Sequence, residues 1–298
     1  MDNQVSPAED TYHDLLDYIK SKRDQLQTQK QIDISNSYDY VDEVIPLLKQ
    51  NNSLVRQATK YYNEDDLYIS HSVNVTIFTL FLAIKMNYED EFLERLLVVG
   101  LNHDIGIARM PARILKKGKG ALGKNELFYF KQHPKMSYNS IEKFNPELQK
   151  IGEMILQHHE RQNGKGYPEG LSEEKLSDEV KILGLADIYE SLIHPRTKRD
   201  ALFPPLGMED IFYKAGDSFD EEILATLYDN LFHTIKGTYV KLSSGTIAKI
   251  TEVKQNNPTD PIVEPVFSSE GKELSSNQID LSREENLHIK HSVPIPLD

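Results

Sequence analysis

The chain has 298 residues, 39% of them hydrophobic and 27% charged, the balance of a soluble globular protein with one large domain or a few smaller ones. Its 34 basic and 47 acidic residues give a net charge of −13, so the surface as a whole repels DNA or RNA duplexes and anionic membranes. The absence of cysteine excludes disulfides, thiolate metal ligands and a cysteine nucleophile.

The opening MDNQVSPAED is acidic and carries no signal-peptide hydrophobic stretch, which points to a cytoplasmic protein. Residues 1–60 read as a small helical N-terminal segment with widely spaced apolar positions such as Leu15, Leu16 and Ile19. A cap, a coiled-coil arm and a sensor remnant are all compatible with it. The apolar stretch 76–84 (TIFTLFLAI) is about half of the roughly 20 residues a spanning helix needs, so it predicts a buried core helix.

A second helix follows over 91–102, with Phe92, Leu93, Leu96, Leu97 and Val98 at helical spacing. The segment 116–124 (KKGKGALGK) interrupts the pattern. Helices resume over 126–133, 137–144 and 146–159. Gly164, Gly166, Pro168 and Gly170 then enforce a loop, and further helices cover 178–193 and run on to about 235. Beyond Gly237, TYVKL-SSG-TIAKITEV is a hairpin signal, and PIVEPVF and QIDL supply further short strands. The division expected is 1–60, an all-helical 61–236 and a small β-rich module at 237–298.

His103-Asp104, the pair His158-His159 and Gly166-Tyr167-Pro168 carry the chemistry. Neighbours on one helix diverge by about 100°, so an imidazole and a carboxylate can serve a shared ion pocket. A carboxylate can bridge two cations while imidazoles complete each. Such pairs activate a water and clamp phosphate oxygens. A lone histidine is usually structural. The series His71, His103-Asp104, His133, His158-His159, Asp187 is hard to assign to packing alone. Imidazole and carboxylate ligands without thiolate suit Fe or Mn first, with Zn or Ni as further options.

These segments resemble the HD-GYP family of cyclic di-GMP phosphodiesterases. The matching pieces are YISHSVNV, NHDIG, KQHP, HHERQNGKGYPEGL and ADIYESL, covering roughly residues 60–200. The resemblance implies a mainly α fold, an HD-type helical bundle. It implies His71, His103, Asp104, His133, His158, His159 and Asp187 as ligands of two divalent metals, with Asp104 between them. His103 and Asp104 are then the catalytic pair, and a metal-bridging hydroxide opens cyclic di-GMP to pGpG, with onward cleavage to GMP as an option. Gly166, Tyr167 and Pro168 become substrate contacts, Tyr167 offering a face for guanine. Membrane and nucleic-acid partners are not expected; a homodimer or a signalling-protein partner is left open.

The chain departs from the family pattern at named positions. The family carries Lys after HDIG, where this chain has Ile107, so a cation is missing from the expected reaction centre. Such a contact is worth about 2–4 kcal/mol. Arg109 is the nearest replacement in sequence. Members with three metals place Glu four residues before the first histidine; Leu67 stands there, which predicts two metals. Where the family reads Arg-Pro-Tyr-Arg, this chain has Arg196-Thr197-Lys198-Arg199, and Arg196, Lys198 and Arg199 are candidate phosphate or guanine contacts. Lys116, Lys117, Lys119 and Lys124 are either a local cationic funnel or a solvated loop. Ile107 and the altered Arg196 stretch also motivate the alternative: a catalytically weak HD-GYP protein that binds cyclic di-GMP or partners as a sensor or scaffold. An HD phosphohydrolase for another nucleotide is a third reading.

Overall fold

The computed structural model describes residues 6–61, 67–117, 119–196, 199–231, 235–254, 256–275 and 277–293. Helix α1 (Pro7–Thr28) starts on a reciprocal capping box, Ser6 accepting from the Glu9 N–H while the Glu9 carboxylate accepts from the Ser6 N–H. After a 3₁₀ turn come α2 (Val41–Gln50), α3 (Ser53–Lys60), α4 (Leu67–Lys85) and α5 (Asp90–Asn102). Helix α4 is apolar all round and buried on nearly every face, as a helix at the centre of a bundle must be. By length and composition it could cross a membrane, yet 83% of its apolar window is buried inside the protein. Tyr12, Leu15, Leu16 and Ile19 of α1 share one apolar core with α4 and α5. Tyr12 also donates its hydroxyl to Asn74 Oδ1 at 2.6 Å, which locks α1 against α4.

A 3₁₀ turn over Ile105–Arg109 leads into α6 (Ala112–Leu115), α7 (Lys124–Phe130) and α8 (His133–Ser140). The sequence predicts helices over 126–133 and 137–144; the break instead falls before His133 because Pro134, with no N–H, sits in the first turn of a new helix. Helices α9 (Pro146–Gln157), α10 (Asp178–Ile193), α11 (Pro204–Ala215) and α12 (Glu221–Leu231) complete the helical part.

Strands β1 (Tyr239–Leu242), β2 (Ile247–Lys254), β3 (Asn257–Phe267), β4 (Ile279–Asp280) and β5 (Ile289–Val293) form an antiparallel sheet in the order β4-β3-β2-β1-β5. The predicted hairpin is β1–β2, with Gly245 at φ 88° in its turn. A second, small core of Val240, Leu242, Ala248, Ile250 and Val263 also takes in Phe203, from just before α11. Ser292 of β5 donates its N–H to Ala201 O at 3.2 Å, so the sheet is fastened to the chain that leaves α10.

Candidate metal centre

His71 lies in α4, His103 and Asp104 follow α5, His133 opens α8, His158 and His159 follow α9, and Asp187 lies in α10. The pair His103-Asp104 is therefore not on one continuous helix, contrary to the sequence-based expectation. Helix α5 ends at Asn102, and Asp104, at φ −103° and ψ 8°, opens the 3₁₀ turn. Packing explains the break. The Gly106 N–H goes to Ser137 Oγ at 2.9 Å, and a Cβ on Gly106 would lie 2.2 Å from Ser137 N. Only glycine lets α8, which carries His133, approach the turn that carries Asp104.

Three imidazoles share one device. His103 Nδ1 lies 2.7 Å from Gly100 O, His133 Nδ1 2.8 Å from Phe130 O, and His158 Nδ1 2.7 Å from Ile155 O. Each carbonyl belongs to the last turn of a helix, where it has no partner within that helix. Each imidazole therefore donates through Nδ1, and its Nε2 lone pair faces inward. Helix ends thus fix both the tautomer and the direction of three rings.

The result is two clusters of nitrogen and oxygen donors, His133 with His158 and His159, and His71 with His103 and Asp104, each within 4.8 Å. Asp104 joins them. Its Oδ1 lies 3.2 Å from His133 Nε2 and 3.6 Å from His158 Nε2; its Oδ2 lies 3.6 Å from His71 Nε2 and 3.8 Å from His103 Nε2. Asp187 spans the same pair, with Oδ1 at 3.2 Å from His71 Nε2 and Oδ2 at 3.2 Å from His159 Nδ1.

The charge balance fits a cation. Burial, reinforced by neighbouring imidazoles, holds His158 well below its ordinary pKa, and burial takes His159 down to about 3 despite Asp187. His133 is lowered by burial as well. Burial works against the charge on Asp104, yet the imidazoles of His133, His103 and His71 keep its pKa below the usual carboxylate range. Neutral His133, His158 and His159 beside an ionised Asp104 are the protonation state that metal binding requires, while His71 must release a proton to ligate. His103 Nε2 and Asp104 Oδ1 are buried with no hydrogen-bond partner among the described residues, a costly state unless a cation occupies their focus. The donor set therefore fits divalent metal binding.

His71 is held differently. Its Nδ1 is hydrogen-bonded to Glu190, whose carboxylate also takes Arg196 and His194. Burial disfavours the charge on His71, but Glu190 and then Asp187 push its pKa up to about 10. A carboxylate behind a ligating imidazole raises its donor strength. Glu190 escaped the sequence reading although it lies three residues after Asp187 on α10, one turn along the same face.

Around the centre opens a cavity of about 1400 Å³ including its mouth, lined by Tyr68, Lys131, Arg161, Lys165, Gly166, Tyr167 and Arg196 among others. Tyr167 lies 4.6 Å from the His159 ring, and Lys131 Nζ stands 5.0 Å over its face. A Cβ on Gly166 would lie 2.4 Å from Glu160 Cα, so this loop can approach the His158-His159 segment only as glycine. Glu160, buried and missed by the sequence reading, accepts the N–H groups of Glu169, Gly170 and Leu171 at 2.7, 3.1 and 2.9 Å. Pro168, joined to Tyr167 by a cis peptide bond, shapes the loop but is not among the residues lining the cavity.

Two predicted substrate cations are also elsewhere. Arg109 turns away to Ser140 Oγ and to the carbonyls of Gln29 and Lys30, at 3.0, 2.8 and 2.6 Å. Arg199 donates to the carbonyls of Ser191, Leu192 and His194, satisfying the end of α10. Orphan carbonyls won over the cavity in both cases. Lys198 lies outside the described residues. Ile107 is buried and lines a smaller side chamber with Tyr68, Asp104 and Leu115. Of the loop lysines, Lys117 pairs with Glu126.

A family model described as "HD domain" matches residues 43–223, and one described as "KOW domain associated with HD domain" matches 239–295. This chain belongs to the HD domain family, in its HD-GYP group. It is similar to cyclic di-GMP phosphodiesterase PdeB of Borreliella burgdorferi, 29% identical over 71% of this chain and 55% of the relative. It is also similar to cyclic di-GMP phosphodiesterase PA4108 of Pseudomonas aeruginosa, 24% identical over 85% of this chain and 61% of the relative. The chain thus spans somewhat over half the length of these relatives. Among solved structures it resembles Bd1817, an HDG"Y"P protein from Bdellovibrio bacteriovorus, with a TM-score of 0.63 at 17% identity over 77% of this chain and 74% of that one. That likeness shows that the HD-GYP chain shares this fold.

Proposed function

We propose that this HD-GYP chain is a metal-dependent phosphodiesterase that opens cyclic di-GMP to pGpG. The observation that carries the reading is Asp104, whose two oxygens each face one of two histidine clusters. Relatives named as cyclic di-GMP phosphodiesterases support the substrate.

The proposed ligands are His133, His158 and His159 on one side, His71 and His103 on the other, with Asp104 and Asp187 spanning both. A pair of divalent ions there, Fe or Mn by ligand type, supplies an activated water and a clamp on phosphate oxygens. The protein's own groups position the substrate. Tyr167 presents an aromatic face held by the Glu160-anchored loop, suited to stacking a guanine. Lys131, Lys165, Arg161 and Arg196 line the cavity and gather positive charge inside a chain of −13, drawing a dianionic dinucleotide by focusing. Arg161 is held by the carbonyls of His158 and Glu160, Arg196 by Glu190 and Lys165 by Asp217, so Lys131, over the Tyr167 ring, is the cation best placed to offset the charge absent at Ile107. Cation contacts in a water-poor cavity stabilise the anionic transition state more than they would in water.

The test is anaerobic loading with Fe or Mn, then cyclic di-GMP turnover followed by product chromatography. Appearance of pGpG supports the reading. Tight binding of uncut nucleotide replaces it with the sensor reading, and cleavage confined to other nucleotides replaces the substrate.

A further inference from the structure

The side chamber that takes Ile107 is walled by Arg23 of α1, Tyr68 and Ser72 of α4, Asp104 and Leu115 among others. Tyr68, Asp104 and Leu115 also line the main cavity, so these three side chains stand where the two spaces meet. Leucine has no polar atom, and an ionised Asp104 only accepts. Among the described residues, Tyr68 therefore carries the side-chain donor at this boundary.

Tyr68 lies three residues before His71 on α4, one turn along the same face. Its side chain is half-buried, and its hydroxyl has no hydrogen-bond partner among the described residues. The hydroxyls of Tyr167 and Tyr189 are sealed inside the protein; that of Tyr68 is not, and so it opens onto the space it lines. Burial and the charge of Asp104 raise its pKa to about 12, against the opposing pull of Arg196. The hydroxyl keeps its proton and can donate it to an acceptor beside Asp104. Other donors stand to either side. Lys131 lines the main cavity over Tyr167, whereas Arg23 lines the chamber, its Nε 3.7 Å from Asp24.

We propose that the Tyr68 hydroxyl donates to a non-bridging phosphate oxygen of the nucleotide beside Asp104, and so takes the part of the family lysine replaced by Ile107. The proposal rests on the phosphodiesterase reading above. Ile107 is apolar and leaves the chamber beside Asp104 without the family's ammonium. Tyr68 reaches the same boundary from α4, with a neutral donor in place of a charged one. A hydrogen bond to a phosphate oxygen is the stronger, charge-assisted kind. It strengthens further as that oxygen gains charge in the transition state.

Tyr68→Phe removes the hydroxyl and keeps the ring. The metal-free chain is titrated with cyclic di-GMP by calorimetry, and metal content after anaerobic loading is counted alongside. Tyr68→Phe is expected to weaken the nucleotide roughly tenfold at level metal content. Adding Ile107→Lys to Tyr68→Phe returns the family cation to the same chamber and should restore affinity to within about threefold of wild type. A merely structural Tyr68 gains nothing from that cation. In the loaded chain, kcat per bound metal should fall roughly ten- to hundredfold in Tyr68→Phe and recover in the double variant. Affinity and kcat of Tyr68→Phe both within about threefold of wild type overturn the proposal and leave the phosphodiesterase reading standing. Loss of metal in Tyr68→Phe also overturns it, since the ring then serves His71 and not the substrate. Weakening that Ile107→Lys fails to relieve at full metal content overturns the exchange with Ile107. A wild-type chain that neither binds nor cuts cyclic di-GMP overturns the functional reading and this proposal with it.

Discussion

His133 and His158 point their Nε2 atoms at each other across 3.2 Å. Both rings have committed Nδ1 to a backbone carbonyl, so two lone pairs converge, with Asp104 Oδ1 adding a third at 3.2 and 3.6 Å. Bound metal relieves that convergence. Metal at about 1,000 times its dissociation constant stabilises the fold by about 4 kcal/mol. With about 2–4 °C per kcal/mol for a domain of this size, chelation is expected to lower Tm by roughly 10 °C. Calorimetric scans with and without chelator check this.

Removing metal also exposes a dependence on pH. His159 has a folded pKa of about 3 against an ordinary 6.5, and His133 and His158 are lowered too. Between those values the unfolded chain binds more protons than the folded one, so stability rises with pH. The metal-free protein should be most stable near pH 6.5, losing stability as the pH falls towards 3 and, because His71 is raised to about 10, also as the pH rises towards that value. Denaturant midpoints taken from pH 7.5 down to 4 read this out; a flat profile contradicts the buried, neutral assignment.

Tyr167 separates stacking from hydroxyl chemistry. Its hydroxyl is buried and has no hydrogen-bond partner among the described residues, while its ring lies at the cavity wall. Tyr167→Phe should leave nucleotide affinity within about threefold. Tyr167→Ala should cost about 1–3 kcal/mol of affinity at constant metal content. Equilibrium binding of cyclic di-GMP to both variants, with metal analysis alongside, decides it.

Glu160 holds the loop that carries Tyr167 through three backbone N–H groups. Glu160→Gln keeps the shape but removes the charge that strengthens those bonds, a loss of about 1.5–3 kcal/mol. Nucleotide affinity should fall while metal content stays level. Loss of metal instead would mean that Glu160 supports His158 and His159 rather than the loop.

Arg109 is expected to matter for stability and not for chemistry. Its guanidinium ties α1's exit at Gln29 and Lys30 to the turn after Asp104 and to Ser140 of α8. Arg109→Ala should lower unfolding free energy by about 1–3 kcal/mol and leave turnover per bound metal within about threefold. A hundredfold fall in that turnover would restore the reading of Arg109 as a substrate cation.

The order of histidines and aspartates was legible in the sequence because metal ligation demands particular side chains, and the structure gathers His71, His103, Asp104, His133, His158, His159 and Asp187 around one point. The hairpin was legible from its turn residues. Direction was not. Arg109 and Arg199 carry the expected charge, yet backbone carbonyls nearby claim it, and a sequence does not display where orphan carbonyls fall. Glu190 and Glu160 were hidden because a carboxylate that supports a ligand or a loop has no motif of its own. The break between His103 and Asp104 comes from the close approach of α8 at Gly106, a contact 31 residues apart in the chain.

The central claim is that Asp104 serves both clusters, and metal counting tests it most directly. Anaerobically prepared wild-type chain should carry about two ions, and Asp104→Ala should fall close to none because both sites lose a ligand together. Retention of one full equivalent by Asp104→Ala would contradict the bridging role and reduce the centre to a single ion.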